Sequence, residues 1–211
     1  GAMAMAAKAN GAEIRTDAKV ASVNVKNCAV TGVVLEDGEV IVTDCVVSNA
    51  HIKTTVLDIV GTKHFEADFV KRTTDVRTRG SAAKLHIALK DLPDFNGLSQ
   101  DDLKSRLVIA PSQKDVEHSF NHIKYREYSQ NPIMEISIPS LVDNSLTDSG
   151  HILNATVQFA PYDLKGGWTA EAKSDFLDIC INRIAEYAPN IRDVIEHAEI
   201  MTPLDLEERF G

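Results

Sequence analysis

The sequence predicts an α+β chain in two parts: a β-meander, then a mostly antiparallel or mixed sheet covered by helices. Residues 11–50 read as short valine-rich strands joined by tight turns. Residues 83–89, 132–139 and 152–159 alternate between apolar and polar side chains, which is the period of a half-buried strand. With 211 residues, 44% hydrophobic and 25% charged, the chain is long enough for one large or two small domains with a substantial core.

In the meander, Val20, Val23 and Val25 mark the first strand and Val30, Val33, Val34 and Leu35 the second. Val40, Ile41, Val42, Val46 and Val47 mark the third. Asp37-Gly38 turns the second strand into the third, because glycine accepts the positive φ of a two-residue hairpin. Residues 52–60 then show helical spacing through Val56, Ile59 and Val60, and Gly61 ends that helix. Residues 63–79 are polar and read as a helix followed by a connection.

The second region has a different pattern. Leu85, Ile87 and Leu89 oppose Lys84, His86 and Ala88; Met134, Ile136 and Ile138 oppose Ile133, Glu135 and Ser137. Leu153, Ala155, Val157 and Phe159 oppose Asn154, Thr156 and Gln158, and residues 106–110 (RLVIA) read as a further strand. A helix over 113–125 places Val116, Phe120 and Ile123 on one stripe. A longer one over 170–188 presents Phe176, Ile179, Cys180, Ile184 and Tyr187, and Pro189 ends it. Thr202-Pro203-Leu204-Asp205 opens a last helix, with a capping threonine, proline in the first turn and an acid three residues after the cap.

Several functions are set aside by composition. A net charge of −9 argues against nucleic acid as a partner, because phosphate binding needs clustered cations. No stretch approaches the roughly 18 consecutive apolar residues of a membrane span, and no secretory leader is visible. Cys28, Cys45 and Cys180 are widely spaced with no Cys-x-x-Cys, which suits a reducing, cytoplasmic compartment and three small buried apolar groups. There is no G-x-G-x-x-G, no G-x-x-x-x-G-K-[ST] and no G-x-S-x-G. His118 and His122 lie four apart on a predicted helix, but Ser119 stands where a metalloprotease helix carries Glu. They read as surface histidines, and no metal site is expected.

The polar strand faces are the candidate site. Lys84, His86, Glu135, Ser137, Asn154, Thr156 and Gln158 point to one side of a single sheet if the strands are neighbours. The ordinary reading is a solvated face. The functional reading is a wall of a substrate cavity, on which Lys84 and His86 are first in line to orient substrate or move a proton.

Seven segments, in order, carry a family likeness: GAEIRTDAKVASV, TGVVLEDGEVIVTDCVVSNA, SAAKLHIALKDLPDF, RLVIAPS, EISIPSLVDNSL, VQFAPYDLKGGW and TPLDLEERFG. From Ala6 onward the chain resembles the phytoene dehydrogenase-like FAD-dependent oxidoreductases, and among them the pyridine nucleotide-disulfide oxidoreductase domain-containing branch. The first two segments are shared widely among flavin-dependent amine oxidases and desaturases; APYDLKGGW and TPLDLEERFG discriminate better. The resemblance implies that residues 6–62 are a β-meander remnant of an FAD-binding domain and residues 63–211 a substrate-binding domain. It implies that Val20 contacts the adenine through its backbone and that Asn49 lies near the exit toward the substrate domain.

The family's glycine-rich loop and its glycine-rich C-terminal flavin segment have no counterpart in this sequence, and a pyrophosphate needs such a backbone cradle. The chain is therefore expected to be an internal piece of a longer FAD enzyme. The parent would take hydride from a small apolar or amphipathic substrate, while the piece itself binds FAD weakly or not at all and has no turnover. Two alternatives stay open: a non-catalytic protein-interaction module, and part of a flavin amine oxidase.

Overall fold

A computed structural model describes residues 1–210 and divides the chain into two compact units, 1–77 and 78–211. The resemblance-based boundary after residue 62 thus lies one helix earlier than this division, since α2 (Ala67–Asp75) belongs to the first unit.

The first unit begins with α1 (Ala2–Ala9). Its core is an antiparallel sheet in the order β1 (Val20–Lys26), β2 (Ala29–Leu35), β3 (Val40–Val42). Asn27 and Cys28 join β1 to β2 with φ of +52° and +61°, the left-handed pair that a tight hairpin of matching twist requires. At Asp37-Gly38 the Leu35 N–H bonds to the Glu39 carbonyl, and Asp37 Oδ1 accepts from the Glu39 N–H at 2.9 Å. Val23 and Leu35 are buried beneath this sheet. The third strand is shorter than the valine pattern predicts. Thr43 Oγ1 accepts from the Cys45 N–H, closing a turn that carries Val46 and Val47 out of the ladder. The predicted helix over 52–60 forms as a π-helical segment, Thr54–Gly61, with Val56 buried.

Two of the three cysteines correct the expectation of buried thiols. Cys28 sits in the hairpin turn and Cys45 in the Thr43 turn, and both are exposed. Valine neighbours in sequence do not bury a residue at a chain reversal, because a turn faces solvent whatever flanks it. Cys180 alone is buried.

The second unit is a five-stranded sheet in the order β5 (Leu107–Ile109), β6 (Ile133–Ser137), β7 (His151–Gln158), β4 (Ala82–Leu89), β8 (Ile195–Met201). Every pairing is antiparallel. One face carries Leu85, Ile87, Leu89, Met134, Ile136, Leu153, Ala155 and Val157, all essentially inaccessible. It packs in one apolar cluster with Phe176, Cys180 and Ile184 of α4 (Ala170–Ala185). Burying a leucine- or isoleucine-sized side chain stabilises by roughly 1.5–3 kcal/mol, so this layer dominates the unit. Tyr128, Trp168 and Phe176 meet beside it with centroids 4.7–5.8 Å apart. The indole N–H of Trp168 donates to the Pro161 carbonyl at 2.9 Å, which folds the APYDLKGGW loop back on itself.

The helix α3 (Gln113–Lys124) forms where its spacing predicts, capped by Ser112, whose hydroxyl accepts from the Asp115 N–H. Its orientation differs. Ser119 is the buried residue, while Phe120 is exposed and packs edge-on against Phe159 at 5.4 Å. The stripe of Val116, Phe120 and Ile123 is therefore turned by about one residue, since only Val116 and Ile123 are half-buried. After the short α5 (Ile191–Val194), β8 forms an edge strand that the sequence reading did not anticipate, and α6 (Pro203–Phe210) follows it.

Candidate functional site

The polar row of the second unit is assembled by strand register. β4 and β7 set Lys84 opposite Thr156 and His86 opposite Asn154. β6 and β7 set Glu135 opposite Thr156 and Ser137 opposite Asn154. Opposed residues on paired strands share a face, so these six side chains stand together on the side away from α4. Gln158, level with Ala82 and Ile133, ends the row.

The row is hydrogen-bonded across strands. Lys84 Nζ donates to Thr156 Oγ1 at 2.6 Å. His86 Nδ1 lies 2.8 Å from Asn154 Oδ1, so that nitrogen carries the hydrogen and donates, leaving Nε2 without a partner among the described residues. Arg106 Nη1 donates to Glu135 Oε2 at 3.1 Å. Lys84, His86, Glu135, Asn154, Thr156 and Gln158 are each half-buried, which is more enclosed than a freely solvated strand face.

Two elements enlarge the site beyond the predicted residues. β8 adds Glu199 opposite His86 and Met201 opposite Lys84. α6 then supplies Leu206, Arg209 and Phe210 to a cleft of about 420 Å³ whose other walls include Lys84, His86, Asn154 and Glu199. A second, polar cleft of about 170 Å³ lies on the same face and shares Lys84 and Asn154 with the first.

α6 is held over the sheet by three anchors. The Thr202 hydroxyl accepts from the Asp205 N–H, and the Thr202 N–H donates back to Asp205 Oδ2 at 2.8 Å, a reciprocal cap. Lys173 of α4 pairs with Asp205 at 2.5 Å. Burial draws the Asp205 carboxyl upward, but the Lys173 ammonium and the Thr202 donors outweigh it and hold it below its ordinary range. The third anchor is the Tyr162 hydroxyl, which donates to Glu207.

The first unit offers a cleft of about 720 Å³ between the meander and the π-helical segment. Val20, Val23, Val33, Val47 and Ile59 give it an apolar lining. Asn49 is exposed and falls between two lining residues, Ser48 and Ala50, without lining the cleft itself. Lys19 is the one cation of the lining, and Glu36 neutralises it at 2.6 Å, a pairing that raises the Lys19 pKa. Such a surface suits an apolar or aromatic group and not a diphosphate.

The chain is similar to oxidoreductases. It is 32% identical over 222 residues to pyridine nucleotide-disulfide oxidoreductase domain-containing protein 2 of Rattus norvegicus, covering 100% of this chain and 38% of the relative. It is 24% identical over 207 residues to 4,4'-diaponeurosporene oxygenase of Staphylococcus haemolyticus, covering 95% of this chain and 38% of that protein. The chain thus spans about two fifths of the length of the curated relatives it matches. Among solved structures, a Pyrococcus furiosus protein superposes with a TM-score of 0.57 at 17% identity, over 92% of this chain and 39% of its own. An oxidoreductase from Methanosarcina mazei does so with a TM-score of 0.56 at 16% identity, over 95% of this chain and 40% of its own. These two likenesses show the fold. No protein-family model matches the sequence.

Glu199, Met201, Leu206, Arg209 and Phe210 were not predicted as site residues. The signal for the strand that brings them was weak: in IEHAEIM the apolar residues fall at 195, 198, 200 and 201, out of strict alternation. The pairing shows why, with a register irregularity between Ala88 and Leu89 where β8 enters the sheet. Among the described residues no group of three His, Cys, Asp or Glu is placed to hold a metal ion. Nor is any described helix long and apolar enough to cross a membrane.

Proposed function

We propose that this chain is the substrate-binding portion, with part of the FAD-binding domain, of an FAD-dependent oxidoreductase of the dehydrogenase or desaturase kind, acting on a small apolar or amphipathic substrate in the cytoplasm. The observation that carries the reading is the cleft under α6, where a hydrogen-bonded polar row faces the apolar side chains of Met201, Leu206 and Phe210. Its volume falls within the roughly 300–1,000 Å³ of small-molecule sites, and a few convergent polar groups on an apolar wall are their usual composition. Similarity to named oxidoreductases along the whole chain supports the same reading.

In this reading FAD supplies the hydride acceptor when bound in the longer protein. The residues of this chain would exclude water and orient substrate. Lys84 and His86 would present a cation and a free imidazole nitrogen to the polar end of the substrate, while Asn154 and Thr156 hold those two side chains in place. Val20 would lie against the adenine part and Asn49 near the passage between the domains. With Lys19 already neutralised by Glu36, the chain alone is expected to take up FAD weakly and to show no turnover.

The test is purification of a full-length protein that contains this chain. A yellow protein whose flavin absorbance bleaches on anaerobic reduction supports the reading. A colourless protein that fails to take up added FAD overturns it and favours a non-catalytic interaction module.

A further inference from the structure

We propose that the cleft under α6 takes the carboxylate of an amphipathic monoacid, with Lys84 as its counter-ion and the apolar part of the molecule against Met201, Leu206 and Phe210. The inference rests on the substrate-cavity reading and names the chemistry of what enters that cavity.

Lys84 is the observation that points to an anion. It is half-buried in the middle of the sheet, and its ammonium has one partner, the neutral hydroxyl of Thr156 at 2.6 Å. Among the described residues it forms no ion pair, although the chain has 31 acidic residues against 22 basic ones. A partly desolvated cation surrounded by an excess of carboxylates ordinarily finds one. Here the acid of the same row, Glu135, is taken by Arg106. The hydroxyl leaves Lys84 two further N–H donors for a ligand.

The shape of the site says which kind of anion. Lys84 and Asn154 line both clefts of the face, so a charged group held there has a polar cleft on one side and the larger, more apolar one on the other. Arg209 stands at the apolar end with its guanidinium over the Phe210 ring, 5.8 Å from the centroid, and it too forms no ion pair among the described residues. Glu199 lines the same cleft. Its negative charge offsets that of Arg209, which leaves Lys84 as the one uncompensated charge of the lining, and a single carboxylate balances it.

Calorimetric titration of the 211-residue chain with decanoate, 1-decanol and decyltrimethylammonium at neutral pH tests the inference. Decanoate is expected to bind about ten-fold tighter than 1-decanol, the ratio that a charge-assisted hydrogen bond supplies. Lys84→Met should abolish that ratio, and Lys84→Arg should keep it. Phe210→Ser should weaken both ligands together. Equal affinities for decanoate and 1-decanol, or a ratio that survives Lys84→Met, overturn the carboxylate assignment while the cavity reading stands. Tightest binding of the ammonium probe overturns it as well. Failure of all three probes to bind overturns both.

Discussion

The Tyr162 hydroxyl donates a hydrogen bond to the Glu207 carboxylate. It joins the APYDLKGGW loop to the TPLDLEERFG helix, the two segments that best discriminate the family likeness. They lie 45 residues apart, and together they place α6 over the polar face of the sheet.

Tyr162→Phe removes this link and leaves the ring in place. Amide hydrogen exchange across residues 203–210 should then speed up several-fold, with the β4–β7 amides unchanged, because only the anchoring of α6 is lost. The bond to Glu207, with burial and the carboxylate's charge behind it, raises the Tyr162 pKa against a smaller lowering by Arg79. A raised folded pKa means a contribution present in full below the ordinary tyrosine value of about 10 and lost as pH rises through the folded one. The exchange difference between wild type and Tyr162→Phe should vanish at that alkaline end.

Asp205 gives the opposite pH signature. Its folded pKa lies below the ordinary carboxylate value, so its contribution is present above about pH 4 and lost as pH falls through the lowered value. Asp205→Asn should be less stable than wild type to urea at neutral pH, with the gap closing in acid. Thr202→Ala, at a fully buried capping hydroxyl, should cost about 1 kcal/mol or more.

The cysteines should divide by exposure. Burial pushes the Cys180 thiol well above its usual pKa, whereas Cys28 and Cys45 sit in exposed turns. A thiol-exchange reagent should label two sites in the native chain and the third only after denaturation. Prompt labelling of Cys180 in the native state would contradict the packing of α4 on the sheet.

Gly150 precedes β7 with φ of +68°, and a Cβ there would lie 2.2 Å from the Leu89 carbonyl oxygen. Gly150→Ala combines a left-handed conformation with a backbone clash at the β4–β7 pairing. It should lower stability by more than about 1 kcal/mol in a chemical melt followed through Trp168, the chain's one tryptophan. A variant as stable as wild type would contradict this close approach of the two strands.

Sequence alone determined which side chains share a face. Successive Cβ atoms alternate along a strand, so Lys84 with His86, and Asn154 with Thr156, were bound to point together once the period of two was recognised. It also located the helix cap at Thr202, which is a local hydrogen-bonding pattern. What lay beyond it had non-local causes. Val46 and Val47 read as strand because they are valines, but the Thr43 turn removes them from the ladder. Phe120 read as core because of its spacing, yet the surface that α3 packs against selects Ser119.

Only tertiary structure decided the strand order, the entry of β8 beside β4 and the closure of α6 over the polar row. These depend on pairings between distant residues, such as Lys84 with Thr156 at 72 positions' remove, and no short-range periodicity encodes them. The seven-residue strand Ile195–Met201, irregular in pattern, is drawn into the sheet by the open edge of β4 and brings Glu199 and Met201 to the site. The periodicity marked out a polar face; the fold made it one wall of a cleft.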